Sequence, residues 1–241
     1  MQIEGRNQVR EAIVSNLTIN KLLIDRNFSN RKDEIINMAS KARLKIEYMP
    51  KSALDKISKT SHHQGYIAEV VDFSYSTVEE IMDFAKNSST PPFIVLLDGI
   101  EDPHNLGAII RSCECAGVHG IILPKNRACK VNETVIRTSA GAIANMKIAE
   151  VVNLKEAIDY LKDNGVWVYV SETGGNLIYN EDLKGPVAIV IGSEGKGVKP
   201  SIRTYCDGIV TLPLCGNVNS LNASVACGIV VFEILRQRSS K

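Results

Sequence analysis

Over the first seventy residues, short apolar alternations trade places with helical spacings. The pattern predicts a helix from Gln8 to Val14, a strand at Lys21 to Ile24, a helix at Asp33 to Ala42, a strand at Lys45 to Tyr48, a short helix at Ser52 to Ile57 and a strand at Gly65 to Val71. Such alternation makes a small α/β unit. An acidic amphipathic stretch follows, with Val78, Ile81, Met82, Phe84 and Ala85 as its apolar positions, and then Ser88-Ser89-Thr90-Pro91-Pro92, where two prolines stop a helix and stiffen a connection. The expected division is a first domain over 1–75, a linker over 76–92 and a second domain over 93–241.

From Phe93 the apolar runs become continuous, as in strands covered on both faces: Phe93 to Leu97, Gly120 to Leu123, Val166 to Val170, Val187 to Ile191 and Ile209 to Leu212. Helical stretches lie between them at Leu106 to Ala116, Asn132 to Ile143 and Leu154 to Lys162, and Ser220 to Arg236 closes the series. This predicts an α/β domain built on an open parallel sheet with crossover helices, whose ligand sites form in loops at the carboxyl ends of strands.

Composition changes this picture little. The chain has 241 residues, 44% of them hydrophobic, enough for real cores. No apolar run reaches membrane-spanning length, and MQIEGRNQVREAIVSN lacks the apolar region of a signal peptide, so a cytoplasmic protein with no membrane partner is expected. No two of the six cysteines have the two-residue gap of a metal knuckle, and adjacent His62 and His63 would point to opposite faces of a strand, so no metal is expected. Charge matters more. Net charge is +1, yet residues 1 to 60 carry twelve Lys and Arg against seven acids, a local +5 that leaves −4 for the remainder. Solvated helix faces explain that as readily as nucleic-acid contact does, unless residues 1 to 60 form a domain of their own.

Three segments sit at strand-to-loop junctions. In Asp98-Gly99-Ile100-Glu101-Asp102-Pro103-His104-Asn105-Leu106-Gly107-Ala108-Ile109-Ile110-Arg111, Asn105 falls where a helix would begin, which suits a cap. Arg111, six residues on, is rotated by about 120° on a straight helix. In Gly192-Ser193-Glu194-Gly195-Lys196-Gly197, the glycine spacing fits neither the Walker phosphate loop nor the dinucleotide fingerprint. In Pro213-Leu214-Cys215-Gly216-Asn217-Val218-Asn219-Ser220-Leu221-Asn222-Ala223-Ser224, three short polar side chains crowd a helix start, where capping accounts for one or two and a polar ligand would account for the rest.

The order Asn-x-Gly-x-x-x-Arg, Gly-x-Glu-x-x-Gly, Pro-x-x-Gly-x-x-x-Ser-Leu-Asn-x-Ser resembles the three motifs of the SpoU (TrmH-like) family of RNA 2′-O-methyltransferases. Gly5-Arg6-Asn7 and His63-Gln64-Gly65 are similar to the L30e-like substrate-binding domain of members acting on large-subunit ribosomal RNA, the RlmB type that methylates a guanosine of 23S rRNA. The resemblance implies a C-terminal parallel-sheet SPOUT domain with a deep trefoil knot, S-adenosyl-L-methionine as cofactor, a homodimer, and rRNA or, as the alternative, tRNA as substrate. A non-catalytic RNA-binding assembly factor on the same fold is the rival, and the intact set of Arg111, Glu194 and Asn222 speaks against it. By position, Gly192, Leu212, Pro213 and Leu221 would hold the cofactor, and Arg111, Asn105, Glu194, Ser220 and Asn222 would form the catalytic set. Arg6, Arg10 and Arg137 would meet RNA. Arg111 matches the family's catalytic arginine, for which a base role has been suggested. A guanidinium keeps its proton and has no acceptor, so orienting a phosphate and stabilising alkoxide charge fits it better, with the proton passing to Glu194, water or an RNA phosphate.

Overall fold

The computed structural model describes residues 2–14, 17, 19–29, 33–70 and 73–239. The end of the expected strand at Val71, the boundary residue Asp72 and two of the basic residues, Arg31 and Lys32, lie outside the described residues. The chain forms two compact units, one of residues 1–74 with 131–144, the other of 75–130 with 145–241.

The first unit runs β1 (Gln2–Glu4), α1 (Arg6–Val14), β2 (Ile19–Asp25), α2 (Glu34–Lys41), β3 (Ile46–Met49), α3 (Lys51–Ile57) and β4 (Tyr66–Val70). Its sheet has the order β1-β4-β2-β3, with β4 antiparallel to both neighbours and β2 parallel to β3. Leu23, Leu54 and Ile67 pack together under it. Segment 131–144, expected to be one long helix of the second domain, groups here and forms a shorter helix. Positive φ at Ala140 (48°) and Gly141 (88°) follows its end at Thr138.

In the second unit the elements are α4 (Val78–Lys86), β5 (Phe93–Asp98), α5 (Pro103–Cys115) and β6 (Gly120–Pro124); α6 (Glu133–Thr138) is the first unit's helix. Then come β7 (Lys147–Val151), α7 (Leu154–Asp163), β8 (Trp167–Leu177), β9 (Val187–Gly192), α8 (Pro200–Arg203), β10 (Gly208–Thr211) and α9 (Ala223–Ser239). Six strands, all parallel, lie in the order β10-β8-β9-β5-β6-β7. Every residue of β5 is buried, the apolar run Phe93 to Leu97 and the terminal Asp98 alike. The stretch 76–92 carries α4, begun by a Thr77–Glu80 capping box, and Val78, Ile81 and Met82 join the core beneath the sheet with Ile158 and Leu161 of α7. On β8, pairing with β10 jumps from Val170–Ile209 to Asn176–Val210, so residues 171–175 leave the ladder and return to it. Among the described residues no helix is long and apolar enough to cross a membrane.

Candidate active site

The two central strands end side by side, Asp98 of β5 opposite Gly192 of β9. Asp98 is buried and accepts hydrogen bonds from Lys199 N (2.9 Å) and Lys199 Nζ (2.7 Å), which ties the chain beyond β9 back to β5. Between them residues 193–197 close a tight loop through Ser193 N to Gly197 O (3.2 Å) and Gly197 N to Ser193 O (3.0 Å). A Cβ on Gly192 would run into the backbone of Gly197 and Val198, and Gly197 itself holds φ at +64°, so glycine is what lets the loop fold onto itself.

Helix α5 is capped by Asp102, whose side chain accepts from His104 N (2.9 Å), with Pro103 in the first helical turn. Asn105 is therefore inside the helix and is not its cap, a correction to the capping alternative. Its amide serves another purpose: Nδ2 donates to Glu194 Oε1 (2.9 Å) and Oδ1 accepts from Asn222 Nδ2 (3.0 Å). The Asn222 amide also donates to Glu194 Oε1, and Ala223 N approaches the same oxygen at 3.4 Å. Asn222 Oδ1 accepts from Ser224 N (3.0 Å), Ser224 Oγ (2.6 Å) and Val225 N (3.3 Å), which caps α9. The helix expected from Ser220 thus begins at Ala223, and Ser220 and Leu221 stay in the loop before it.

Three residues distant in sequence therefore share one hydrogen-bond cluster, and it joins the loop after β9 to the starts of α5 and α9. Glu194 Oε1 takes all its donors, while Oε2 accepts none among the described residues. Arg111 lies further along α5, exposed and without a hydrogen-bond or ion-pair partner among the described residues.

Glu194 and Ala223 also line a cleft of about 320 Å³. Gly192, Leu212, Leu221 and Ser220 line it too; Pro213 does not. Sequence reasoning missed Ser171, Glu172 and Thr173, which reach the cleft from the excursion in β8. No local pattern marks them, since their position depends on a register jump against β10.

In the first unit, Arg6 Nη1 donates to the Asp33 carboxylate and to the Tyr66 hydroxyl (3.0 Å), and Tyr66 OH donates to Asp33 Oδ2 (2.7 Å). Burial and the neighbouring Asp33 push the Tyr66 phenol up to about 12. Arg10 pairs with Glu34 at 3.0 Å with both side chains exposed, and Arg137 is exposed on α6. His63 is buried, with Nε2 2.8 Å from Asp55 Oδ1 and Nδ1 accepting from Gly65 N (3.0 Å); it holds a turn.

Known proteins match both units. Residues 92–232 fit the SpoU rRNA Methylase family, and residues 2–76 fit the RNA 2′-O ribose methyltransferase substrate-binding family. A Staphylococcus saprophyticus protein assigned to the TrmH family of tRNA/rRNA methyltransferases is 39% identical, over 98% of this chain and 96% of its own. Bacillus subtilis YacO, assigned to the same family, is 37% identical over 98% and 95%. The fold is that of the SpoU methyltransferase AviRb from Streptomyces viridochromogenes, solved with AdoMet, at a TM-score of 0.82 and 23% identity over 100% of this chain and 91% of that one. With a family model spanning more than half its length and relatives of this identity along nearly all of it, the chain belongs to the SpoU family of RNA methyltransferases.

Proposed function

We propose that the chain transfers a methyl group from S-adenosylmethionine to a ribose 2′-hydroxyl, that of a guanosine in 23S rRNA. The observation that carries the reaction is the cluster of Asn105, Glu194 and Asn222 at the rim of a cleft, with the unpartnered guanidinium of Arg111 on the same helix as Asn105. The cleft suits the cofactor. Its volume is within the range of small-molecule sites, and it sets apolar Leu212, Leu214 and Leu221 beside polar Ser171, Glu172 and Thr173. When bound there, S-adenosylmethionine supplies an electrophilic methyl on a sulfonium.

The protein's part is to position and to manage charge. Asn105 and Asn222 hold Glu194 Oε1 in place, which leaves Oε2 able to accept the proton of the attacking hydroxyl. Arg111 orients the target phosphate and stabilises the developing alkoxide. Gly192, Leu212 and Leu221 supply loop backbone and apolar contact to the adenosyl group, Pro213 shapes the loop behind them, and Ser220 stands at the same mouth. Arg6, Arg10 and Arg137 contact RNA backbone, Arg6 while also held by Asp33.

Ribosomal RNA is favoured by the first unit, which matches a substrate-binding family and carries the local excess of positive charge. A homodimer is favoured by α9, where Val225, Ile229 and Phe232 are 49%, 39% and 47% exposed at i, i+4 and i+7 while Val230, Val231 and Ile234 are buried behind them. The trefoil knot belongs to the same reading. The deciding experiment incubates the protein with labelled S-adenosylmethionine and undermodified 23S rRNA or tRNA and maps the product. Label on a 23S guanosine ribose is expected; label on a base overturns the mechanism, and label confined to tRNA overturns the substrate.

A further inference from the structure

Glu172 stands at the second residue of the excursion in β8, and the neighbouring strand fastens it there. Thr211 Oγ1 donates to Glu172 O (2.7 Å) and accepts from Gly175 N (2.9 Å), so one hydroxyl spans the gap where the ladder is broken. The side chain then lies against the glycine loop, since a Cβ on Gly197 would run into Glu172 Oε1. The carboxylate lines the cleft, is mostly shielded, and faces Arg203 Nη1 at 3.2 Å. That approach satisfies charge but lacks hydrogen-bond direction: Oε2 is buried and accepts no hydrogen bond among the described residues. Leaving that oxygen without a donor is costly, so the carboxylate gains from a ligand that donates to its accessible side.

We propose that Glu172 is a cofactor-binding carboxylate that accepts hydrogen bonds from the vicinal 2′- and 3′-hydroxyls of the adenosyl ribose. This rests on S-adenosylmethionine being the cofactor of the cleft. Two features select hydroxyls over the methionine ammonium. Arg203 already neutralises the carboxylate and Lys196 adds a second cation to the lining, so a third positive group gains little attraction there. A vicinal diol, in contrast, presents neutral donors to the side of the carboxylate that lines the cleft.

Binding of S-adenosylhomocysteine, measured by calorimetry on the intact protein, tests this without turnover. Wild type should bind S-adenosylhomocysteine roughly 10- to 100-fold tighter than its 2′-deoxy or 3′-deoxy analogue, the range expected for a charged hydrogen bond. Glu172→Gln and Glu172→Ala should bind the parent ligand weakly and lose most of that discrimination, with melting temperatures showing that each variant is folded. Equal affinity of wild type for parent and deoxy ligands overturns the assignment and needs no variant. So does a folded Glu172→Gln that keeps the wild-type preference, or one whose loss is against the analogue lacking the amino group, which would assign Glu172 to the ammonium. Wild type that binds no S-adenosylhomocysteine at all overturns the cofactor reading itself.

Discussion

The two oxygens of Glu194 have different employment, and that separation can be measured. Oε1 is occupied by Asn105 and Asn222, so Glu194→Gln keeps an acceptor for the cluster while removing the group that would take a proton at Oε2. The acid limb of the pH–rate profile should disappear in this variant; an unchanged profile removes Glu194 from the base role. Arg111→Ala should lower kcat by about 10²- to 10³-fold, as loss of one charge-stabilising donor does, with S-adenosylhomocysteine affinity within about twofold of wild type. Asn105→Asp would replace the amide donor with a second carboxylate at Glu194 and should cost about 1–3 kcal/mol of stability at neutral pH, read by denaturant titration. The identities of these residues were legible in their motifs. Their convergence was not: Asn105 and Asn222 are 117 positions apart, and no local spacing reports a contact made by strand order.

Among the elements, legibility followed length and burial. The apolar run Phe93 to Leu97 and the run Val187 to Ile191 announce β5 and β9 almost to the residue, because a strand covered on both faces is apolar except where a buried polar group finds partners, as Asp98 does. Strand β1 is three residues, too short for any periodicity, and β7 reads Lys-Ile-Ala-Glu-Val, where Lys147 and Glu150 break the apolar pattern and hide a sheet-edge strand. At the second junction a single methyl should be decisive. Gly192→Ala pushes a Cβ into backbone with no room to yield, so a loss of at least about 2 kcal/mol is expected, together with loss of cofactor binding. The end of β1 carries a pH effect of its own. Burial would push the Glu4 carboxyl up, but hydrogen bonds from the Ser58 and Thr60 hydroxyls and the Lys59 and Thr60 amides outweigh it and hold the group down at about 2. Because the folded state then binds fewer protons than the unfolded chain, this contribution is complete above about pH 4.5 and is lost as pH falls toward 2. Glu4→Gln should lower the melting temperature at pH 7 and flatten its fall across that acid window.

On the scale of the whole molecule, the charge asymmetry was readable from the sequence, but its deployment was not. Arg6 and Arg10 are each paired with an acid of α2 or its cap, so two of the twelve basic residues are held by neighbours. RNA affinity should therefore fall with salt less steeply than the count of basic residues suggests, and the slope of log affinity against log salt, divided by about 0.7 to 0.9, gives the number of phosphates met. The apolar stripe on α9 makes a separate prediction. Phe232→Glu sets a charge at the position of its largest side chain and should convert a dimer to monomers in sedimentation analysis, while a wild type that already sediments as a monomer refutes the pairing.

Strand β10 has four residues, and its ladder to β8 changes register halfway along. A foreign strand laid on this rim would find only four residues to pair with, too few to nucleate continuous pairing. The short strand that fastens Glu172 at the cleft thus makes that border of the sheet a poor template for fibrous growth.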